Sequence, residues 1–266
     1  MFRRKKQEDD LEDYALDPED QALEDAELLA IIDAQLAAEA ETETEAGGGD
    51  GDRRPEGPWD SEDAPDDEVQ RIDLGSLRLP VPDGTEVRVD VGPDGEVVAA
   101  TMVQGESSMQ INVFAAPKRS GIWGEVRTEI AEALEQSGGK AEHVEGPYGL
   151  ELKAQVPTEV PGQGAMLAPA RFLGVDGPRW FLRALLTGPA ATGAAAAVGL
   201  ETVLRDVVVH RGGEAMAVRD ALPLHLPRDV AEQAAAAAEA ADAEGEQEGG
   251  GGLPMPERGP EITETR

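Results

Sequence analysis

The sequence predicts an α+β domain, one antiparallel sheet packed by two main helices in the order β-β-β-α-β-β-β-α. Three observations predict it. Between residues 86 and 115 apolar and polar residues alternate, the pattern of half-buried strands. Two stretches, near 120–139 and 194–204, carry apolar residues at helical spacing. The charge is also unevenly spread over the 266 residues: residues 1–70 hold 6 Lys/Arg against 25 Asp/Glu, residues 71–227 hold 14 against 20, and residues 228–266 hold 3 against 10. Acidic ends poor in aromatic residues bury too little apolar surface to offset the entropy of ordering. The expected organisation is a disordered acidic arm over 1–69 with an amphipathic helix near 18–40, a folded domain over 70–227, and an alanine-rich acidic tail over 228–266 that is mostly disordered.

In the arm, Asp17-Pro18-Glu19-Asp20 has the form of a helix start: a capping aspartate, proline at the first helical position and acids in the first turn. Leu28, Leu29, Ile32 and Leu36 then repeat at helical spacing. This stripe is a candidate partner-binding face, or a face that docks on the chain's own domain. Residues 41–69 read as a linker, with Trp59 isolated and exposed.

The folded part opens with Leu74, Leu77 and Leu79, then a turn at Pro82-Asp83-Gly84. Val87, Val89 and Val91 alternate with charged residues, Val97–Val103 pairs back, and Ser108–Ala115 gives a third strand, so this half reads as a meander with one wet face. Ser120 reads as the cap of a helix whose stripe is Ile122, Val126, Ile130 and Leu134, with Gly138-Gly139 at its end. A short connection carries His143. Leu150, Leu152 and Ala154 begin a fourth strand, and residues 157–168 read as a flexible loop. A hairpin then runs over residues 170–187 around an Asp176-Gly177 turn and holds Phe172, Trp180 and Phe181. The second helix runs from about Ala194 to Leu204, and Val207–Val209 add a last strand.

Composition narrows the chemistry. The chain has no cysteine, so disulfides, thiol catalysis and thiolate metal sites are excluded, and a cytoplasmic protein is expected. The three histidines are scattered, so neither a metal nor a cofactor is expected. No window approaches a membrane span, and the formal charge of −32 disfavours direct nucleic-acid binding. Phosphate loops, nucleophile elbows and His-Glu-x-x-His pairs are missing from the sequence. Four residues of the hairpin stand out as a ligand- or partner-binding group: Arg171, Arg179 and Arg183, of which Arg179 and Arg183 are four apart on one strand and so share a face with Phe181. His143, beside Glu142 and Glu145, is the one acid/base candidate.

Four segments in order, "RIDLGSLRLPVPDG", "GIWGEVRTEIAEAL", "VDGPRWFLR" and "DVVVHRGGEAMAVRDALPLHLP", resemble an uncharacterised actinobacterial family, domain of unknown function 3710, over roughly residues 70–227. The resemblance brings no established activity and no established catalytic residues. By element order the domain is also similar to PsbP-type α/β/α folds, which are mostly non-enzymatic binding and assembly modules. The expectation is a non-catalytic protein-binding or adaptor domain. The alternatives are a binder or enzyme for a small anionic ligand that uses the arginine-bearing hairpin, and a regulator that acts on a nucleic-acid or nucleotide-metabolism machine through its acidic tails.

Overall fold

The computed structural model describes residues 57–92, 96–160 and 164–227. The elements below all lie in the unit that ends at His225. The arm helix near 18–40, with Leu28, Leu29, Ile32 and Leu36, and the tail over 228–266 lie outside the described residues.

The chain begins with β1 (Trp59–Asp60), β2 (Arg71–Asp73) and β3 (Leu77–Pro80), then the meander β4 (Glu86–Val91), β5 (Val97–Gln104) and β6 (Ser107–Ala115). Helix α1 (Trp123–Gln136) follows. The second meander is β7 (Lys140–Gly146), β8 (Gly149–Val160), β9 (Gly164–Gly177) and β10 (Trp180–Thr187). The short helix α2 (Pro189–Thr192), helix α3 (Ala194–Arg205) and β11 (Val208–Val209) complete the order. The class is α+β, with two sheets. The larger is antiparallel, in the order β4-β5-β6-β10-β9-β8-β7; the smaller is β1-β11-β3-β2, in which β1 and β11 run parallel.

The central strands of the larger sheet are buried on both faces. On one, Met109, Ile111, Leu173, Trp180 and Leu182 pack with Leu200, Val203 and Leu204 of α3 and with Leu77 and Leu79 of the small sheet. On the other, Leu152, Phe172, Phe181 and Leu185 pack with Trp123, Val126, Ile130 and Leu134 of α1. Each such side chain withdrawn from water contributes about 1.5–3 kcal/mol. The alternation that reads as one wet face in β6 is therefore misleading: Gln110 and Asn112, its polar positions, are only 7% exposed each.

Several local expectations change, each for a physical reason. Trp59 is half-buried in β1 and not exposed, because its strand pairs with Val208. The connection that carries His143 is strand β7; its exposed, charged sequence reads as a loop because it is an edge strand. Strands β8 and β9 extend into residues 157–168, which read as a flexible loop, and pair there from Val156–Ala168 to Val160–Gly164.

The central turn is Pro178-Arg179, not Asp176-Gly177, since Gly177 and Trp180 already face each other across the hairpin. Proline sets the first turn position and Arg179 takes φ 63°, the left-handed conformation that a type II turn usually assigns to glycine. Neighbouring segments hold it there. The Arg179 carbonyl accepts from the Ala116 amide (3.0 Å) and from Arg211 Nε (3.1 Å), and Arg179 Nη2 donates to the Gly212 carbonyl (3.2 Å). Gly177 is required for a different reason: a Cβ there would collide with the Trp180 indole.

The cap of α1 comes from this hairpin and not from Ser120. Asp176 Oδ1 accepts from the amides of Ile122 (2.8 Å) and Trp123 (3.3 Å), so a carboxylate faces the positive end of the helix dipole. Asp176→Ala is expected to cost about 0.5–2 kcal/mol, while Ser120→Ala changes stability by less than about 0.5 kcal/mol. Chemical denaturation of both variants checks this; equal losses would return the cap to Ser120.

Candidate binding site

The structure separates the three arginines that the sequence groups together. They occupy three environments, and no single site contains them.

Arg171, on β9, is buried at 7% exposure. Its Nε donates to Glu151 Oε2 on β8 at 2.7 Å, and its Nη1 meets Glu201 Oε1 on α3 at 2.8 Å. Burial opposes the guanidinium charge, but the hydrogen bonds and charges of Glu151 and Glu201 outweigh it, and the Arg171 pKa stands above the ordinary arginine value. Tyr148 Oη donates to the Glu201 carbonyl at 2.9 Å and adds a second fastening between the β7–β8 turn and α3. Glu151 is 1% exposed, and its carboxylate lies so close to Gly146 that a Cβ there would collide with it. Arg171 is thus engaged by two carboxylates in tying the sheet to α3.

Arg183, on β10, is 1% exposed. It lies on the face that carries α1, not on a solvated face. Its Nη2 donates to Asn112 Oδ1 at 3.3 Å, and its guanidinium carbon stands 5.5 Å from the centre of the Phe114 ring. The register aligns further polar pairs along the same face. Arg183 is opposite Asn112, Thr187 is opposite Ser108 at 2.6 Å between hydroxyls, and Thr101 is opposite Gln110. Asp90 on β4 accepts from both Thr101 Oγ1 (2.9 Å) and Gln110 Nε2 (2.7 Å). Arg183 therefore belongs to a polar half-face spanning β4, β5, β6 and β10, beside the apolar half under α1.

Phe181 is not a surface residue. It is 1% exposed and lies between two rings, Trp123 at 5.9 Å and Phe114 at 6.1 Å between centroids. Trp123 in turn lies over Gly174, where any Cβ would strike the indole, and its Nε1 donates to the Leu150 carbonyl at 2.6 Å. Trp180 is core, with Nε1 donating to Asp60 Oδ2 at 2.8 Å.

Arg179 alone of the three arginines is exposed. Its turn meets the 116–121 loop, which carries exposed Lys118 and Arg119, and the segment that carries Arg211. Arg179 and half-buried Arg211 thus meet at one end of the larger sheet, next to the loop that bears exposed Lys118 and Arg119. His143 is exposed on β7, in register with Leu152 and away from this end of the sheet. Among the described residues, no group of three or more His, Asp or Glu side chains is placed to hold a metal ion. No described helix is long and apolar enough to cross a membrane.

Sequence reasoning missed Glu151, Glu201 and Arg219. Arg219 binds Glu129 through Nη1 (2.9 Å) and Nη2 (2.8 Å), and so fastens the 211–225 segment to α1. The acids of α1 at 125 and 129, within its row at 125, 129, 132 and 135, are the partners of Arg219.

The fold is a two-sheet α+β domain whose buried charges are built into its packing. The chain belongs to the family described as "Protein of unknown function (DUF3710)", which matches residues 57–233. The match starts at Gly57, consistent with the inclusion of β1 in the fold. Among solved structures, the solution structure of cyanobacterial PsbP (CyanoP) from Synechocystis sp. PCC 6803 is similar at 12% identity and a TM-score of 0.32, covering 58% of this chain and all of that one. A comparison with curated proteins finds no match.

Proposed function

We propose that the domain is a non-catalytic protein-binding module whose contact surface is the end of the sheet around the Pro178-Arg179 turn. The observation that carries this reading is the contact of exposed Arg179 with Arg211, next to the loop that bears exposed Lys118 and Arg119, in a chain with formal charge −32. Cations gathered against the prevailing charge select an acidic protein surface and orient it during encounter. The turn is rigid because three hydrogen bonds hold Arg179, so little ordering entropy is lost on contact. The small-anion reading has less support, since Arg171 is already matched by Glu151 and Glu201 and Arg183 lies within the sheet packing.

The test is a tagged pull-down from the native cells with the full chain and with Arg119→Glu/Arg179→Glu, eluted at rising salt and read by mass spectrometry. A stoichiometric acidic protein that elutes with salt and is lost with the double variant supports the reading. A partner held equally by both forms, or none by either, overturns it. The double variant is expected to melt within a degree or two of the wild type, because exposed substitutions change stability by less than about 0.5 kcal/mol.

A further inference from the structure

The α1 face of the larger sheet is only half covered by described helix. Helix α1 packs on β7, β8 and β9 and reaches Phe181 and Leu185 of β10. The rest of the face, on β4, β5 and β6, has no helix over it among the described residues. An antiparallel sheet face without a cover is wet, and its polar side chains are solvated. The centre of this half-face is dry: Thr101 is 8% exposed and Gln110 and Asn112 7%, with Thr187 (6%) and Arg183 (1%) beside them on β10, while Glu86 at its outer edge is exposed. Gln110 Oε1 is buried without a hydrogen-bond partner among the described residues. A row of dry side chains on a sheet face with no described helix over it calls for a second layer.

The width of the half-face fits one helix. Three strands at about 4.8 Å spacing span roughly the 10 Å diameter of a helix with its side chains. The flanking sequence offers one segment with a larger apolar stripe. Residues 17–36 begin with a capped start and carry Leu28, Leu29, Ile32 and Leu36, whereas residues 228–244 offer only alanine apart from Val230. Reach is not limiting, because the chain from Leu36 to Gly57 spans up to about 70 Å when extended.

We infer that the helix of residues 17–36 is the missing second layer: it docks on the β4–β6 half-face of its own chain, beside α1, with Leu28, Leu29, Ile32 and Leu36 turned to the sheet. The acidic arm is then an intramolecular cover, and only a partner that competes with the half-face can capture its apolar stripe. The inference is independent of the contact proposed at the Arg179 end.

The absence of native cysteine makes the test clean. The full chain carries one spin label at Ala34→Cys, which helical spacing puts opposite the apolar stripe. A second label is placed at Val98→Cys, an exposed position on β5, or at Met166→Cys, exposed at the far end of the β8–β9 hairpin. Doubly labelled protein is diluted into unlabelled protein, so that only distances within one chain are read by pulsed electron resonance. The expected result is one narrow distance to residue 98, shorter than that to residue 166, and its loss in Leu28→Asp/Ile32→Asp. A broad distribution that the Asp variant leaves unchanged overturns the inference, as does a narrow distance that places the helix nearer residue 166. Near-ultraviolet circular dichroism confirms that the labelled domain is folded, so a broad distribution is not mistaken for unfolding.

Discussion

Phe181→Ala is expected to cost the domain about 3–5 kcal/mol, the usual loss for a fully buried phenylalanine. For a domain of this size, that lowers the melting temperature by on the order of 10 °C. The ring is 1% exposed on the central strand β10 and stacks between Trp123 and Phe114 at interplanar angles of 22° and 23°. Its removal leaves a cavity and separates two aromatic contacts worth about 0.5–1.5 kcal/mol each beyond the area that they bury. The site cannot collapse easily, because Trp123 is pinned by its hydrogen bond to Leu150 and by its seat on Gly174. Phe181→Leu should recover a large part of the loss. A Phe181→Ala variant that melts within two degrees of the wild type would mean that the ring is dispensable to the core and available to a ligand.

Arg171→Met is the second large effect, and its mark is pH dependence. In the native chain the guanidinium stays charged at every accessible pH, since Glu151 and Glu201 hold its pKa above the ordinary value. Removing it leaves the Glu151 carboxylate, 1% exposed, without its cation. Breaking one partner of a buried pair costs about 3–5 kcal/mol. Burial favours the neutral form of the stranded acid, so the folded variant is expected to lose stability as pH rises and to recover it as pH falls. Urea denaturation of both proteins at about pH 5 and pH 8 should show a smaller gap at the acid value, and Arg171→Met/Glu151→Gln should narrow the gap at pH 8. A gap independent of pH would mean that the lost packing of the side chain, not the stranded charge, sets the cost.

The sequence and the structure agree best where a single local rule decides. The alternation in residues 86–115 and the stripes of α1 and α3 depend only on the period of one element, and they give the class and the placement of Ile130, Leu200, Val203 and Leu204 in the core. The hairpin turn was not legible, because Arg179 holds a left-handed φ through bonds to residues 116, 211 and 212 and not through its own preference. Strand β7 reads as a loop because a charged edge strand lacks the apolar face that marks a strand. The grouping of Arg171, Arg179 and Arg183 failed for a related reason. Spacing along a strand gives the face of a residue but not what is packed on it, and Glu201 comes from α3, thirty residues further on. The cap from Asp176 lies 54 residues from Ile122, beyond any local motif.

The order of the larger sheet bears on how the chain reaches its native state. Five of its six pairings join strands consecutive in the chain, and the sixth joins β6 to β10. Each meander can zip from its own turns with little loss of loop entropy, whereas the seam between Ser108–Ala115 and Trp180–Thr187 must close across α1 and the whole second meander. Closure of that seam is the natural rate-limiting event. Substitutions along it, at Ile111 or Ala184, should slow refolding, while those at the outer strands β4 and β7 should mainly hasten unfolding.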